Sequence, residues 1–101
     1  MLNQVVFVGR LTSDPKINEV EGRKVANITI AVPRSYKNEN GEYETDFISI
    51  ILFQGIAENT AEWCKKGDIV GIKGRVESYG DNNSIRIIAE KVTFLSSRKE
   101  D

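Results

Sequence analysis

The sequence predicts an all-β protein, a closed barrel of five strands with one short helix between the third and the fourth. Three observations point there. Apolar residues alternate with period two in five separate segments, and a helical period replaces that alternation over Ile56 to Lys66. Turn-forming clusters, Glu21-Gly22, Asn40-Gly41 and Gly80-Asp81-Asn82-Asn83, stand between the segments.

The first strand is Leu2 to Leu11, which alternates loosely; Gly9 marks a bend or bulge, and Ser13-Asp14-Pro15 ends the run. The second, Val25 to Val32, puts Ala26, Ile28, Ile30 and Val32 on one face, and Pro33 assigns its end to an edge or a bulge. The third is Tyr43 to Gln54, YETDFISIILFQ. Asn-Gly is suited to the positive φ angles of a tight hairpin, so Asn40-Gly41 should pair this strand with the second. In the third strand Ile48, Ile50 and Leu52 point one way and Phe47, Ser49, Ile51 and Phe53 the other, so both faces are apolar. Such a strand is either buried between two layers or carries aromatic rings outward for a purpose.

In the helix Ile56, Thr60 and Trp63 share a face, with Ala57 and Cys64 beside it, and Lys65-Lys66-Gly67 supplies the closing charge and cap. Asp68 to Tyr79 returns to period two, with Val70, Ile72 and Val76 inward and Lys73, Arg75, Glu77 and Tyr79 outward. Ser84 to Leu95 is the last strand, before the polar end SSRKED. Residues 1–96 thus form one domain and 97–101 a short polar end. Small all-β domains must manage their sheet edges, and five strands with a helix between the third and fourth do so as the OB-fold, a Greek-key barrel. The helix closes one end of that barrel, which makes Ile56, Trp63 and Cys64 core residues.

Composition narrows the function. At 101 residues the chain can bury a core without disulfides or metals, and no apolar run approaches the roughly 18 residues of a membrane span. The opening MLNQVVFVGRL lacks the pattern of a signal peptide, and the single Cys64 agrees with a reducing compartment, so the expected location is the cytoplasm. With no His and one Cys, the usual zinc ligand sets, the Ser-His-Asp triad and the Cys-His dyad are excluded within the chain. No enzyme, cofactor or metal is expected. The net charge of −1 argues mildly against a nucleic-acid partner, so the distribution of charge must decide.

LNQVVFVGRLTSDP at the start, VANITIAV in the second strand, DFISIILF in the third and AENTAEWCKKGDIVGIKGRV in the helix and fourth strand together resemble the bacterial and phage single-stranded DNA-binding protein family. The resemblance covers Met1 to Leu95. It implies aromatic rings on the outer barrel surface that stack on unpaired bases, an arrangement that tolerates any sequence because every base has a π-face. Phe47 and Phe53 match two stacking positions, and strand alternation independently places them opposite the aliphatic set; without the resemblance they could equally pack on a helix, a loop or another subunit. Tyr36 matches a third position, between Arg34 and Lys37. Tyr79 departs from the pattern, since the family's aromatic lies two residues further on and the hairpin between strands four and five is shorter here, but parity keeps Tyr79 outward. The family's stacking tryptophans are Phe or Tyr here, and Trp63 is assigned to the core.

For phosphates the candidates are Arg10, Arg34, Lys37, Lys66, Lys73, Arg75 and Arg86, with Lys73 and Arg75 on the same outward face as Tyr79. The loop KNENGEYETD sets Glu39, Glu42, Glu44 and Asp46 against Lys37, so it should add little attraction. The resemblance further implies a homotetramer with strand one as the subunit contact. Members of the family commonly finish in an acidic tip that recruits replication partners; this chain departs from that pattern at Arg98-Lys-Glu-Asp101, so no tail-mediated recruitment is expected. The expected function is binding and protection of single-stranded DNA in replication, recombination and repair. An OB-fold protein adaptor of the primosome type and an RNA-binding OB domain are the alternatives.

Overall fold

The computed structural model describes residues 1–97, so the expected polar end lies outside the described residues except for Ser97. The elements are β1 (Val5–Leu11), β2 (Ile17–Val20), β3 (Arg23–Lys37), β4 (Tyr43–Phe53), α1 (Gln54–Trp63), β5 (Ile69–Tyr79) and β6 (Ser84–Ser96). They form a sheet ordered β1-β5-β6-β4-β3-β2, closed into a barrel where Arg10 and Leu11 of β1 pair with Ala31 and Ile30 of β3. The pairings are antiparallel except β4 with β6, where Ile50 and Ile51 lie beside Ile87 and Ile88. The five long strands are the OB-fold barrel the sequence predicts, with the helix after the third of them.

β2 is an addition. Its four residues pair only with β3, through a two-residue turn in which Glu21 (φ 52°) and Gly22 (φ 79°) both take positive φ, as a type I′ hairpin requires. All four are exposed, and its two apolar residues, Ile17 and Val20, fall on opposite sides, so the segment has no apolar face from which to recognise a strand. β3 continues past Pro33 to Lys37, with a register shift against β4 between those two residues, the bulge that a proline permits. At the β3–β4 end the Asn38 carbonyl accepts Gly41 N–H at 3.0 Å, and the Asn38 Oδ1 accepts the N–H groups of Asn40 and Glu42, each at 2.9 Å. Gly41 alone takes positive φ there (77°), a type I turn followed by a left-handed residue rather than the tighter two-residue loop.

Alternation decides the core. Ile28, Ile30, Ile50, Leu52, Val70 and Ile72 are almost wholly buried from three strands, each contributing about 1.5–3 kcal/mol of transfer free energy. Two glycines allow strands to close on one another. A Cβ at Gly9 would come within 2.9 Å of the Ala31 carbonyl oxygen across the barrel seam, and one at Gly74 would run into the Ile88 carbonyl at the β5–β6 bulge.

The helix corrects one expectation. Trp63 is 70% exposed and is not core, whereas Ala57, Thr60 and Cys64 are buried and Ile56 half-buried. At 100° per residue the centre of the buried face lies between Ala57 and Thr60, and Trp63 sits roughly 90° round from it. Small residues at that centre let the helix lie close to the barrel, which leaves no room for an indole beneath it. The helix also ends at Trp63, not Lys66; Lys65 to Gly67 form a turn in which Asp68 Oδ2 accepts Lys65 N–H at 2.9 Å and Gly67 N–H donates to Leu11 O at 2.8 Å. Trp63 emission is therefore expected near that of indole in water, with efficient acrylamide quenching; a blue-shifted, protected signal would return the ring to the core. Cys64, just beyond, is buried, and burial, with Asp68 nearby, pushes its thiol pKa up.

Candidate nucleic-acid interface

β4 turns Ile48, Ile50 and Leu52 into the barrel, so Phe47 and Phe53 lie outside, opposite Ala31 and Val25 of β3. Phe47 is 69% exposed; Phe53 is half-buried at the junction with α1, where Gln54 takes a left-handed φ of 52° and turns the chain away. On β5 the core residues Val70 and Ile72 alternate with Lys73, Arg75, Glu77 and Tyr79, which puts these four outside as well. Tyr79 is exposed at the end of β5, and the Arg86 guanidinium of β6 lies 5.7 Å from its ring centroid. Tyr36 is exposed near the end of β3, and Lys37 Nζ stands 5.7 Å from the centroid of Tyr43, its cross-strand neighbour. The outer surface of the barrel thus carries aromatic rings on β3, β4 and β5.

The seven candidate cations divide into two groups. Arg34 chelates Asp46 with Nε (3.1 and 3.2 Å) and Nη2 (2.9 Å) and gives Nη1 to Glu44 at 2.5 Å. That hydrogen bonding raises the Arg34 pKa and holds the Asp46 carboxyl below its usual range. Asp46 precedes Phe47 on β4 and so points to the other face of the strand. Arg75 and Arg86 are likewise partnered, both with Glu77. By contrast Arg10, Lys37, Lys66 and Lys73 have no carboxylate within ion-pair distance among the described residues. Arg10 Nη1 donates instead to Gly67 O at 2.7 Å, and Lys73 lies outside β5 opposite Val6 and Lys91.

A polar groove of about 400 Å³ is lined by Thr12, Ser13, Asp14, Lys16, Asn18, Asn27 and Lys66. Sequence reasoning found only Lys66 of these. Asn27 could have been found, since it alternates with the core residues Ala26 and Ile28; Asn18 could not, because it depends on β2.

The model of the single-strand binding protein family matches residues 2–95. The chain belongs to that family. It is 39% identical to single-stranded DNA-binding protein B of Bacillus subtilis (strain 168), over all of this chain and 96% of that protein. Its identity is 44% to the single-stranded DNA-binding protein of Halalkalibacterium halodurans, of which it spans 63%, and 42% to single-stranded DNA-binding protein 2 of Listeria monocytogenes, of which it spans 68%. Membership bears out the family named from the four sequence blocks, and the barrel bears out the fold. No helix among the described residues is long and apolar enough to cross a membrane.

Proposed function

We propose that this chain binds single-stranded DNA without sequence preference and without catalysis, using residues 1–96 as one binding domain in the cytoplasm and protecting unpaired strands during replication, recombination and repair. Phe47 carries the reading: a large ring 69% exposed on a strand whose other face is core has no structural reason to be there. Bases stack on Phe47, Phe53, Tyr36 and Tyr79. Lys37, Lys66, Lys73 and Arg10 meet phosphates directly, and Arg34, Arg75 and Arg86 meet them only when their carboxylate partners let go. The protein acts as a homotetramer. Val8 stands 56% exposed on the outside of β1, opposite Gly71 with Leu95 beside it, an apolar patch suited to self-association, while Val6, 65% exposed, lies opposite Lys73.

Titration with oligo(dT), oligo(U) and duplex DNA at two salt concentrations tests the reading. Single-stranded DNA should bind much more tightly than duplex, whose bases are already stacked on one another, and both affinities should fall as salt rises. Equal affinity for strand and duplex would defeat it. Preference for oligo(U) would favour an RNA-binding domain, and failure to bind any nucleic acid a protein adaptor. A monomer in sedimentation at micromolar concentration would contradict the tetramer.

A further inference from the structure

On the outside of the β5–β6 hairpin a single carboxylate serves two arginines. Glu77 Oε2 lies 2.9 Å from Arg75 Nη2, and Glu77 Oε1 lies 3.1 Å from Arg86 Nη2. The backbone explains the arrangement: Arg75 and Glu77 are two apart on β5 and share a face, and Arg86 is the cross-strand partner of Glu77. Glu90 adds a weaker contact, 3.5 Å from Arg75 Nη1. The same Arg86 lies over the Tyr79 ring, so the cluster is continuous with one of the aromatic positions.

A phosphodiester presents to guanidinium groups what this carboxylate presents, two anionic oxygens that accept N–H donors. We propose that Glu77 limits affinity: it occupies the place of a strand phosphate between Arg75 and Arg86, and an arriving phosphate must displace it. The inference rests on the single-stranded DNA reading above. Arg75, Arg86, Glu77 and Glu90 together carry no net charge, so they attract a strand weakly, and Glu77 itself repels the phosphate that approaches its partners. The ion pairs are solvent-exposed and of the kind that contributes little, so displacement is possible while binding is held below what the arginines alone would give. The two guanidiniums, Arg75 first, hold the Glu77 carboxyl below its ordinary range, so the competitor stays charged at neutral pH. Such a residue favours release of the strand as much as it weakens capture.

The test is Glu77→Gln, which keeps the shape and removes the charge, titrated with oligo(dT) over a range of salt. Glu58→Gln is the control; it removes the same charge from α1, where Glu58 pairs with Lys24 at 3.3 Å. Glu77→Gln should bind about three- to tenfold more tightly than wild type at low salt, with a log–log slope steeper by roughly 0.7–1.4, the share of one or two phosphates on a single strand. Glu58→Gln should change neither by as much. Arg86→Gln should then weaken binding more in the Glu77→Gln background than in wild type, a coupling that a merely structural Glu77 would not produce. Binding by Glu77→Gln no tighter than by Glu58→Gln, or weaker than wild type, would overturn the inference and leave the DNA reading standing. Failure of the wild-type protein to bind oligo(dT) would remove both.

Discussion

Phe47→Ala is expected to weaken binding to oligo(dT) by about 1–3 kcal/mol, roughly five- to 150-fold, while the melting temperature stays within a few degrees of wild type. The argument is geometric. Phe47 faces outward from β4 with a small cross-strand neighbour, Ala31, so truncation removes a stacking surface for a base without opening a cavity. Phe53→Ala is the less clean probe, because Phe53 is half-buried where β4 passes into α1 and its loss should lower stability and affinity together. Fluorescence anisotropy with labelled oligo(dT), beside a thermal melt of each variant, separates the two effects. Wild-type affinity in Phe47→Ala would remove the ring from the site.

The barrel was legible because β3 and β5 each have one strongly aliphatic face; Ala26-Ile28-Ile30 and Val70-Ile72 could face only inward. β2 was not, since a four-residue edge strand held by backbone pairing alone leaves no hydrophobic period. Period locates a helical face only to within about one residue's turn, so a large ring at its border, Trp63, reads as core from the sequence and stands exposed in the structure. Parity read the outward aromatics, but the state of the cations lay beyond it. That Arg34 is chelated by Asp46 depends on a cross-strand approach between residues 12 apart, and that Arg75 and Arg86 share Glu77 depends on the β5–β6 register. A count of basic residues therefore overstates the charge available to a strand, in keeping with the net charge of −1.

Leu52→Ala is expected to destabilise the fold by about 2–5 kcal/mol, the largest effect on stability considered for this chain. Leu52 is fully buried on β4, opposite the equally buried Ala26 of β3, so no large neighbour across the sheet can move in to fill the space. The loss combines the transfer free energy of the deleted carbons with the cavity left behind. For a domain of about 100 residues each kcal/mol lowers the melting temperature by roughly 4–8 °C, so the variant should melt at least about 8 °C below wild type. Denaturant titration should show a reduced midpoint with an unchanged slope. At temperatures where it remains folded, its affinity for oligo(dT) should be close to that of wild type, because Phe47 and Phe53 point away from the cavity. Leu52→Ala and Phe47→Ala then form a pair from the two faces of one strand, the first losing stability and keeping the ligand, the second the reverse. If Leu52→Ala melted like wild type while binding collapsed, the two faces of β4 would have to be exchanged.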